Sequence, residues 1–351
     1  MEYRQVGNTD MVISEIGFGT GGAAGLMVRG SHEEQLRIID RAIELGINYF
    51  DESPDYGYPG VSEINLGKVL KELHVRPFLN SKIEVRLHNL DDIAGWVEKS
   101  VNESLERLKV DYIDLLMIHD GPVWHTPKMD SRPDGGGYYA TMNIGEYFKK
   151  GGAIEGMERV QKAGKVKYLG FICRGNDGDT IRILMDTGLF SLYNITTHLL
   201  NPSARLKKPD GLKVLDFGDV ITYGLEKGCS AAIYSPLAGG VLTDNNIQGG
   251  SPHPLVAGGP RSNPSPAFIQ ATEHAKKLAF LSKPGRNLAQ AATIWNLMHP
   301  GVAVTLGGFS DMSQLEDIAP VSGMPPLTEE EVMRCEMLWR SNFGSDVAGA
   351  E

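Results

Sequence analysis

Hydrophobic and polar positions along the chain follow two periods in turn. Positions 33–45 space Leu36, Ile38, Ile39, Ala42, Ile43 and Leu45 as one face of a helix, and Gly46 stands ready to end it. Positions 93–108 repeat that spacing with Ile93, Val97, Val101, Leu105 and Leu108. Between such stretches lie short apolar runs that suit strands: SEIGFGT, INYFDES, FLNSKIE, YIDLLMIH, KYLGFIC, LYNITTHLL, CSAAIYSPLA and VAVTLGG. YIDLLMIH is nearly all apolar, as expected of a parallel strand covered on both faces. Further helices are predicted at 62–73, 152–166, 180–190, 212–227 and 287–298, with a last one at 328–343 outside the core. The chain opens on a hairpin, 3–5 against 11–13, turned by Gly7-Asn8.

Eight strand–helix units in succession predict a closed (β/α)₈ TIM barrel with an N-terminal β-hairpin, 1–351 forming one domain. The competing architecture is an open doubly wound sheet. It would announce a dinucleotide with GxGxxG between its first strand and helix. GFGTGGAAG is glycine-rich, but no helix is predicted at the required point, which favours a barrel-mouth loop over a phosphate-cradling one. Two Gly/Pro-rich insertions, 120–143 and 239–266, follow strands at the face where barrel loops shape sites.

Composition narrows the partners. Hydrophobic residues at 41% fill a large core, and charged residues at 22% solvate a surface. A net charge of -10 disfavours nucleic acid and bilayers as general partners, although a local basic patch survives that argument. Cys173, Cys229 and Cys335 form no CxxC pair and no zinc-ligand spacing, so reduced structural thiols are expected. No basic segment leads into an apolar signal core, and no apolar run is long enough to span a membrane. A cytoplasmic protein acting on a small molecule is expected, with monomer and homo-oligomer both open.

Ionisable residues stand at the ends of the apolar strands. Asp51 closes INYF, Lys82 lies in FLNSKIE, His119 closes YIDLLMI, and Tyr56 sits in the loop DESPDYG. Such groups are rarely buried without partners. A lysine cation beside a tyrosine favours the phenolate, so Tyr56 is expected to titrate below its usual value of about 10. It could then pass a proton to a carbonyl, or take one from an alcohol. Asp51 would hold the lysine, and His119 would orient the substrate oxygen. The plainer reading is also open: a strand-end ion pair, a packed tyrosine and a satisfied histidine. A metal on Asp51, Glu84 and His119 is disfavoured by the neighbouring lysine and the absence of HExxH.

Across nearly its whole length the sequence resembles an aldo-keto reductase, nearest to the sugar or aldose dehydrogenase-like branch. YFDESPDYG followed by SEINLGKVL is similar to the segment carrying the family's aspartate and tyrosine. SKIE is similar to the lysine strand, DLLMIHDG to the histidine strand, and YSPLAGG and GGFSDMSQLED to later cofactor segments. The resemblance implies catalytic roles for Asp51, Tyr56, Lys82 and His119. It also implies NAD(P)(H), bound extended at the barrel's C-terminal face without a GxGxxG motif. The implied cofactor residues are Gly19, Thr20, Asn194, Tyr234, Ser235, Pro236, Leu237, Gly239, Gly308, Phe309, Ser310 and Gln314.

Several positions depart from the family pattern. Ile172 and Cys173 stand where Ser-Asn is frequent, Asn194 at a glutamine position, and Thr197-His198 where the family has Tyr-Asn. GGFSDMSQLED carries no basic residue, and Asp311 and Glu316 would oppose a 2′-phosphate, which leans the expectation to NAD(H) or dual use. Trp124, Arg174 and His198 are the expected substrate contacts; His125, Tyr138 and Tyr139 are alternatives in the first insertion. Three functions remain open. The first is NAD(P)-linked hydride transfer to or from a small carbonyl or alcohol, a sugar or related compound among them. The others are a non-redox lyase, isomerase or sugar-processing enzyme reusing the tetrad, and a non-catalytic cofactor sensor.

Overall fold

A barrel closes only when every strand finds a partner on each side, and the short apolar runs do so here. The computed structural model describes residues 1–125, 141–174, 177–256 and 264–344. A two-stranded hairpin, β1 (Tyr3–Gln5) and β2 (Val12–Ser14), precedes β3 (Ile16–Gly19), β4 (Tyr49–Asp51), β5 (Phe78–Ile83) and β6 (Ile113–Ile118). Then come β7 (Gly121–Val123), β8 (Thr141–Asn143), β9 (Val166–Ile172), β10 (Phe190–Thr196), β11 (Ser230–Tyr234) and β12 (Val302–Gly308). Strands β3, β4, β5, β6, β9, β10, β11 and β12 pair in that order, and β12 returns to β3. Every barrel pair is parallel. The eight apolar runs are the eight barrel strands, so the architecture is the (β/α)₈ barrel and not the open sheet.

The hairpin closes the bottom of the barrel. Val6, Met11 and Ile13 are buried with Tyr49, Leu115, Met117, Leu192 and Val304 in the barrel's interior cluster. Arg4 ties it there by donating to the Val302 carbonyl at 2.8 Å and the Leu297 carbonyl at 2.9 Å. The second hairpin strand starts one residue later than expected, at Val12, and the Met11 carbonyl before it accepts the Val6 N–H across the turn at 2.9 Å. A larger apolar layer, including Ile38, Leu66, Val97, Met157, Leu184 and Trp295, fills the space between barrel and outer helices.

Helix Ile93–Leu108 has the bounds its periodicity predicts. Helices His32–Glu44, Leu288–Leu297 and Glu329–Arg340 start at capping boxes, Ser31 with Glu34, Asn287 with Gln290, and Thr328 with Glu331. The predicted helix at 212–227 shrinks to Val220–Glu226. Asp219 before it is left-handed at φ 53°, and its N–H goes to the Ser203 carbonyl instead of a helical partner. A one-turn helix, Leu26–Arg29, follows Gly25 directly, where none was expected after GFGTGGAAG. Helix Asp244–Ile247 lies within 239–266, and helix Pro266–Lys276 starts at its last residue. The Gly and Pro content argued against buried helices there, and these two bury only Asn246 and Ala275; Ser265 and a first-turn proline cap the second. In the first insertion β7 pairs with β8, and 126–140, with Tyr138 and Tyr139, lie outside the described residues.

Helix Val61–Leu73 helps to build the barrel mouth, because it sets Ser62 and Glu63 beneath it. Its Gly67 rests on the next helix with no room for a side chain. A Cβ there would sit 2.8 Å from the Leu108 Cα and closer still to the Arg107 carbonyl. Alanine is the better helix former by about 0.8–1.0 kcal/mol, but backbone cannot move aside as a flexible side chain does. Gly67→Ala is therefore expected to destabilise the fold by about 1–3 kcal/mol in urea unfolding. A rise in stability would show that the two helices are not in this backbone contact.

Candidate active site

The site is built at the C-terminal ends of consecutive strands. Asp51 is the last residue of β4, Lys82 is the fifth of six in β5, and His119 follows β6. Tyr56 lies on the turn after β4, before helix Val61–Leu73. This one face gathers all four residues expected to carry chemistry.

Lys82 is fully buried, so its ammonium must find acceptors. It finds three: Asp51 Oδ1 at 2.5 Å, the Glu52 carbonyl at 2.7 Å and Tyr56 Oη at 3.1 Å. An ammonium has three protons, and each has a destination. Asp51 is fixed from several sides. Its Oδ2 accepts from Asn80 Nδ2 at 2.7 Å and Asn194 Nδ2 at 2.8 Å. Its carbonyl accepts from the Thr20 N–H at 3.1 Å and the Thr20 hydroxyl at 2.9 Å. Tyr56 accepts from Lys82, and its own proton has only a long 3.5 Å contact to Asp51 Oδ1. Gly21 lies over the Tyr56 ring; a Cβ there would meet it at 3.7 Å.

Burial, then the charges of Asp51 and Glu52, push the Tyr56 phenol well above its ordinary value. The expected lowering by Lys82 is not found, because that cation is paired with Asp51. His119 is also held. Its Nδ1 lies 2.7 Å from Glu84 Oε1 and 3.3 Å from Ser53 Oγ, and its Nε2 lies 3.2 Å from an Arg174 nitrogen. The Tyr56 and His119 rings meet edge to face at 6.0 Å.

A layer of buried carboxylates lies around this centre, and the sequence reading did not find it. Glu52 accepts from Ser53 N at 2.9 Å and Ser62 Oγ at 2.8 Å, and burial followed by Glu63 raises its pKa. Glu63 joins Ser81 and Arg107, each at 2.6 Å. Glu84 is raised by burial, then by Asp55 and Asp120, against Arg86 at 3.2 Å. The available signal was a run of acids beside basic and hydroxyl residues in DESPDYG, SEIN and SKIEVR. Among the described residues no three His, Cys, Asp or Glu are grouped to hold a metal.

The expected cofactor and substrate residues divide. Gly19, Thr20, Asn194 and Tyr234 end their strands or directly follow them at this mouth, with Asn194 two positions short of the end of β10. Ser235, Pro236, Leu237 and Gly239 form the loop after β11, in which Ser235, Ala238 and Gly239 are left-handed at φ 51°, 50° and 67°. Gly308 ends β12. Phe309 turns into the core against Phe18 at 5.2 Å, so its ring packs and only its backbone faces the loop. Ser310 donates its hydroxyl to the Ala24 carbonyl at 2.7 Å and its N–H to Gln314 Oε1 at 2.9 Å, so these two tie the loop to its helix. Asp311 meets His253 at 3.3 Å, and Glu316 meets Arg41 at 3.1 Å, so basic partners do come to this segment from elsewhere. Trp124 is exposed beyond β7. His198 braces its own turn: its Nδ1 accepts from the Asn201 N–H at 3.1 Å, and burial lowers its pKa to about 4. Ile172, Cys173 and Thr197 are buried, and Thr197 donates to the Asn201 carbonyl at 3.2 Å. All three cysteines are buried and free.

A buried Lys82–Asp51–Tyr56 cluster at the mouth of such a barrel is the setting in which the comparisons fall. The model of the aldo/keto reductase family matches residues 15–340, and the chain belongs to that family. It is an oxidoreductase enzyme. It is similar to L-galactose dehydrogenase of Arabidopsis thaliana, 26% identical over 93% of this chain and 90% of that protein. It is similar also to aldo-keto reductase YhdN of Bacillus subtilis, 25% identical over 94% and 92%. Among solved structures, the holo form of aldo-keto reductase AKR11C1 from Bacillus halodurans has the same fold. Its TM-score is 0.67 at 24% identity, covering 97% of this chain and 96% of that one. Among the described residues no helix is long and apolar enough to cross a membrane.

Asp120 offers a test of the carboxylate layer. It is buried beside the site, Val85 N donates to its Oδ2 at 2.8 Å, and burial raises its pKa from 3.8 to about 7. Between those values the unfolded chain ionises Asp120 and the folded chain keeps the proton, so stability falls as pH rises. Glu52 and Glu84, raised likewise, act in the same direction. Asp120→Asn keeps an acceptor for Val85 and removes one ionisation. Urea midpoints measured from pH 4 to 8 are expected to decline for the wild type and to decline less for the variant. Identical slopes would mean that Asp120 ionises as it does in water.

Proposed function

We propose that the protein transfers a hydride between a nicotinamide cofactor and a small carbonyl or alcohol, a sugar or related polyhydroxy compound included. The observation that carries this reading is the Lys82 ammonium joining the Asp51 carboxylate to the Tyr56 hydroxyl at the barrel mouth. Lys82 fills the phenol oxygen's acceptor side, which leaves the Tyr56 proton to point toward a substrate oxygen. Asp51 holds Lys82, and Asn80 and Asn194 hold Asp51. His119 meets the Tyr56 ring edge to face at 6.0 Å and has Arg174 3.2 Å from its Nε2, and the substrate oxygen would lie among these groups. The sugar reading draws on the name of the Arabidopsis relative and on the many donors and acceptors at the mouth.

The residues present fit a nicotinamide. Asn194 spends its Nδ2 on Asp51, while its Oδ1 is buried with no partner among the described residues, and Asn80 Oδ1 is in the same condition. A carboxamide N–H would satisfy Asn194 Oδ1, where a buried acceptor left alone costs about 1–3 kcal/mol. When bound, the nicotinamide supplies or accepts the hydride. Ser235, Leu237 and Gly239 after β11, and Gly308 at the end of β12, would hold the rest of the cofactor. We infer NAD(H) or dual use, because Ser310 and Gln314 are bonded to their own loop and Asp311 lies beside them. Fluorescence titration is expected to give NADH and NADPH dissociation constants within about tenfold of each other, a gap of about 1.4 kcal/mol. Binding of NADPH alone would refute the preference and leave hydride transfer standing.

The raised phenol fixes the sign of the pH dependence. In carbonyl reduction Tyr56 must hold a proton, and a pKa above the ordinary value keeps that form dominant through neutral and mildly alkaline pH. Single-turnover reduction is thus expected to be flat from pH 6 to 9, and alcohol oxidation, which needs the phenolate, to rise with pH. Tyr56→Phe keeps the ring and removes the proton. It should cost about 10²–10⁴-fold in hydride transfer at saturating cofactor, with cofactor affinity little changed. Lys82→Met should produce a comparable loss. Unchanged chemistry in both variants would remove the tetrad from the reaction.

A further inference from the structure

Arg174 reaches the His119 ring at the nitrogen opposite Glu84. A guanidinium donates and never accepts. At 3.2 Å from Arg174, His119 Nε2 is therefore the acceptor. A neutral imidazole carries one proton, which must then sit on Nδ1, where Glu84 Oε1 receives it at 2.7 Å. His119 presents no N–H at Nε2, the nitrogen the tetrad would use to polarise a substrate oxygen.

Arg174 has what His119 lacks. Its planar fork carries five N–H groups, and directing one at Nε2 is compatible with directing another at a substrate oxygen. Its positive charge is felt at the centre, where it opposes the upward shift of the Tyr56, Tyr234 and Asp120 groups. The chain also makes room for it. Gly121, the first residue of β7, lies against the Arg174 backbone so closely that a Cβ would collide with the Arg174 N, C and O atoms. That glycine does not need a positive φ, so close approach is its reason for being there.

We propose that Arg174 is the second hydrogen-bond donor to the reacting oxygen, beside Tyr56, and that His119 and Glu84 are positioning residues that orient the guanidinium. The assignment rests on hydride transfer being the reaction. In reduction, the carbonyl carbon gains the hydride from the reduced nicotinamide, which is left oxidised. The C=O π pair moves onto oxygen, and Tyr56 supplies the proton there. Arg174 stabilises the charge building on that oxygen and keeps all its own protons, as a donor with so high a pKa must.

The tautomer is readable without turnover. Long-range ¹H–¹⁵N correlation on histidine-labelled protein, with His119 identified by its loss in His119→Asn, should show a pyrrole-type Nδ1 and a pyridine-type Nε2. Arg174→Met should abolish that fixed assignment. The same variant should lower carbonyl reduction by about 10²-fold or more with cofactor affinity unchanged. Arg174→Lys, which keeps charge but loses the fork, should recover only part of the rate. A proton on Nε2 in the wild type would overturn the proposal. So would wild-type turnover in Arg174→Met. If the wild type itself shows no nicotinamide-dependent turnover, the hydride-transfer function falls, and the Arg174 assignment with it.

Discussion

Lys82 carries a full positive charge at a position with no access to water, and the architecture of the mouth answers that constraint. An unpaired buried ammonium would lose its charge or unfold its surroundings. Three acceptors prevent this, and each comes from the end of β4 or the segment just after it: the Asp51 carboxylate, the Glu52 carbonyl and the Tyr56 hydroxyl. The parallel register that sets Asp51 opposite Asn80 is what brings the end of β4 within reach of Lys82 on β5. The barrel is thus the means by which one lysine is kept charged in a dry place. The Tyr56 hydroxyl completes its coordination, and its proton is the one the proposed function uses.

Holding one charge pair this firmly has further consequences. Asp51 must itself be fixed, and Asn80, Asn194 and Thr20 do it from three different strands or strand ends. Tyr56 must be carried on a defined turn, so Glu52 and Ser62 pin the segments before and after it. Glu52 and Glu63 are buried for this structural purpose, and burial, followed by the neighbouring Glu63, raises the pKa of Glu52. The carboxylate layer is the result. It supports the Lys82–Asp51–Tyr56 cluster mechanically and keeps water from the phenol, whose pKa is pushed well above its ordinary value by burial first and then by the charges of Asp51 and Glu52.

The barrel and its eight strands were legible because a strand covered on both faces reads as a short apolar run. The four tetrad residues were legible because polar side chains interrupt those runs at their ends. What remained unread lay in side-chain destinations. Asn194 was legible as an amide at the barrel mouth, but its bond to Asp51 joins residues 143 positions apart and leaves no mark in local spacing. Phe309, Ser310 and Gln314 matched a cofactor segment, whereas the ring packs on Phe18 and the two polar groups bind their own loop. His198 was legible as a polar residue at a mouth, and its turn with Asn201 depends on backbone geometry that composition does not encode. The helix at 212–227 failed for a similar reason: its first half satisfies its backbone through Ser203 and Asn342, which are distant in sequence.

The direction in which the phenol is shifted separates two ways of making a tyrosine useful. A free cation beside it would lower its pKa and ready it to take a proton from an alcohol. Here the cation is already neutralised by Asp51, and two further carboxyl groups, Glu52 and Glu84, add to the upward shift. The positive charge of Arg174 works the other way. A proton kept on Tyr56 and a guanidinium beside it together suit an oxygen that is gaining negative charge, which is the carbonyl being reduced. An alcohol losing its proton would need the opposite field. Under the proposed hydride transfer, this field is the one that suits reduction, and it arises through the residues that pair with Lys82.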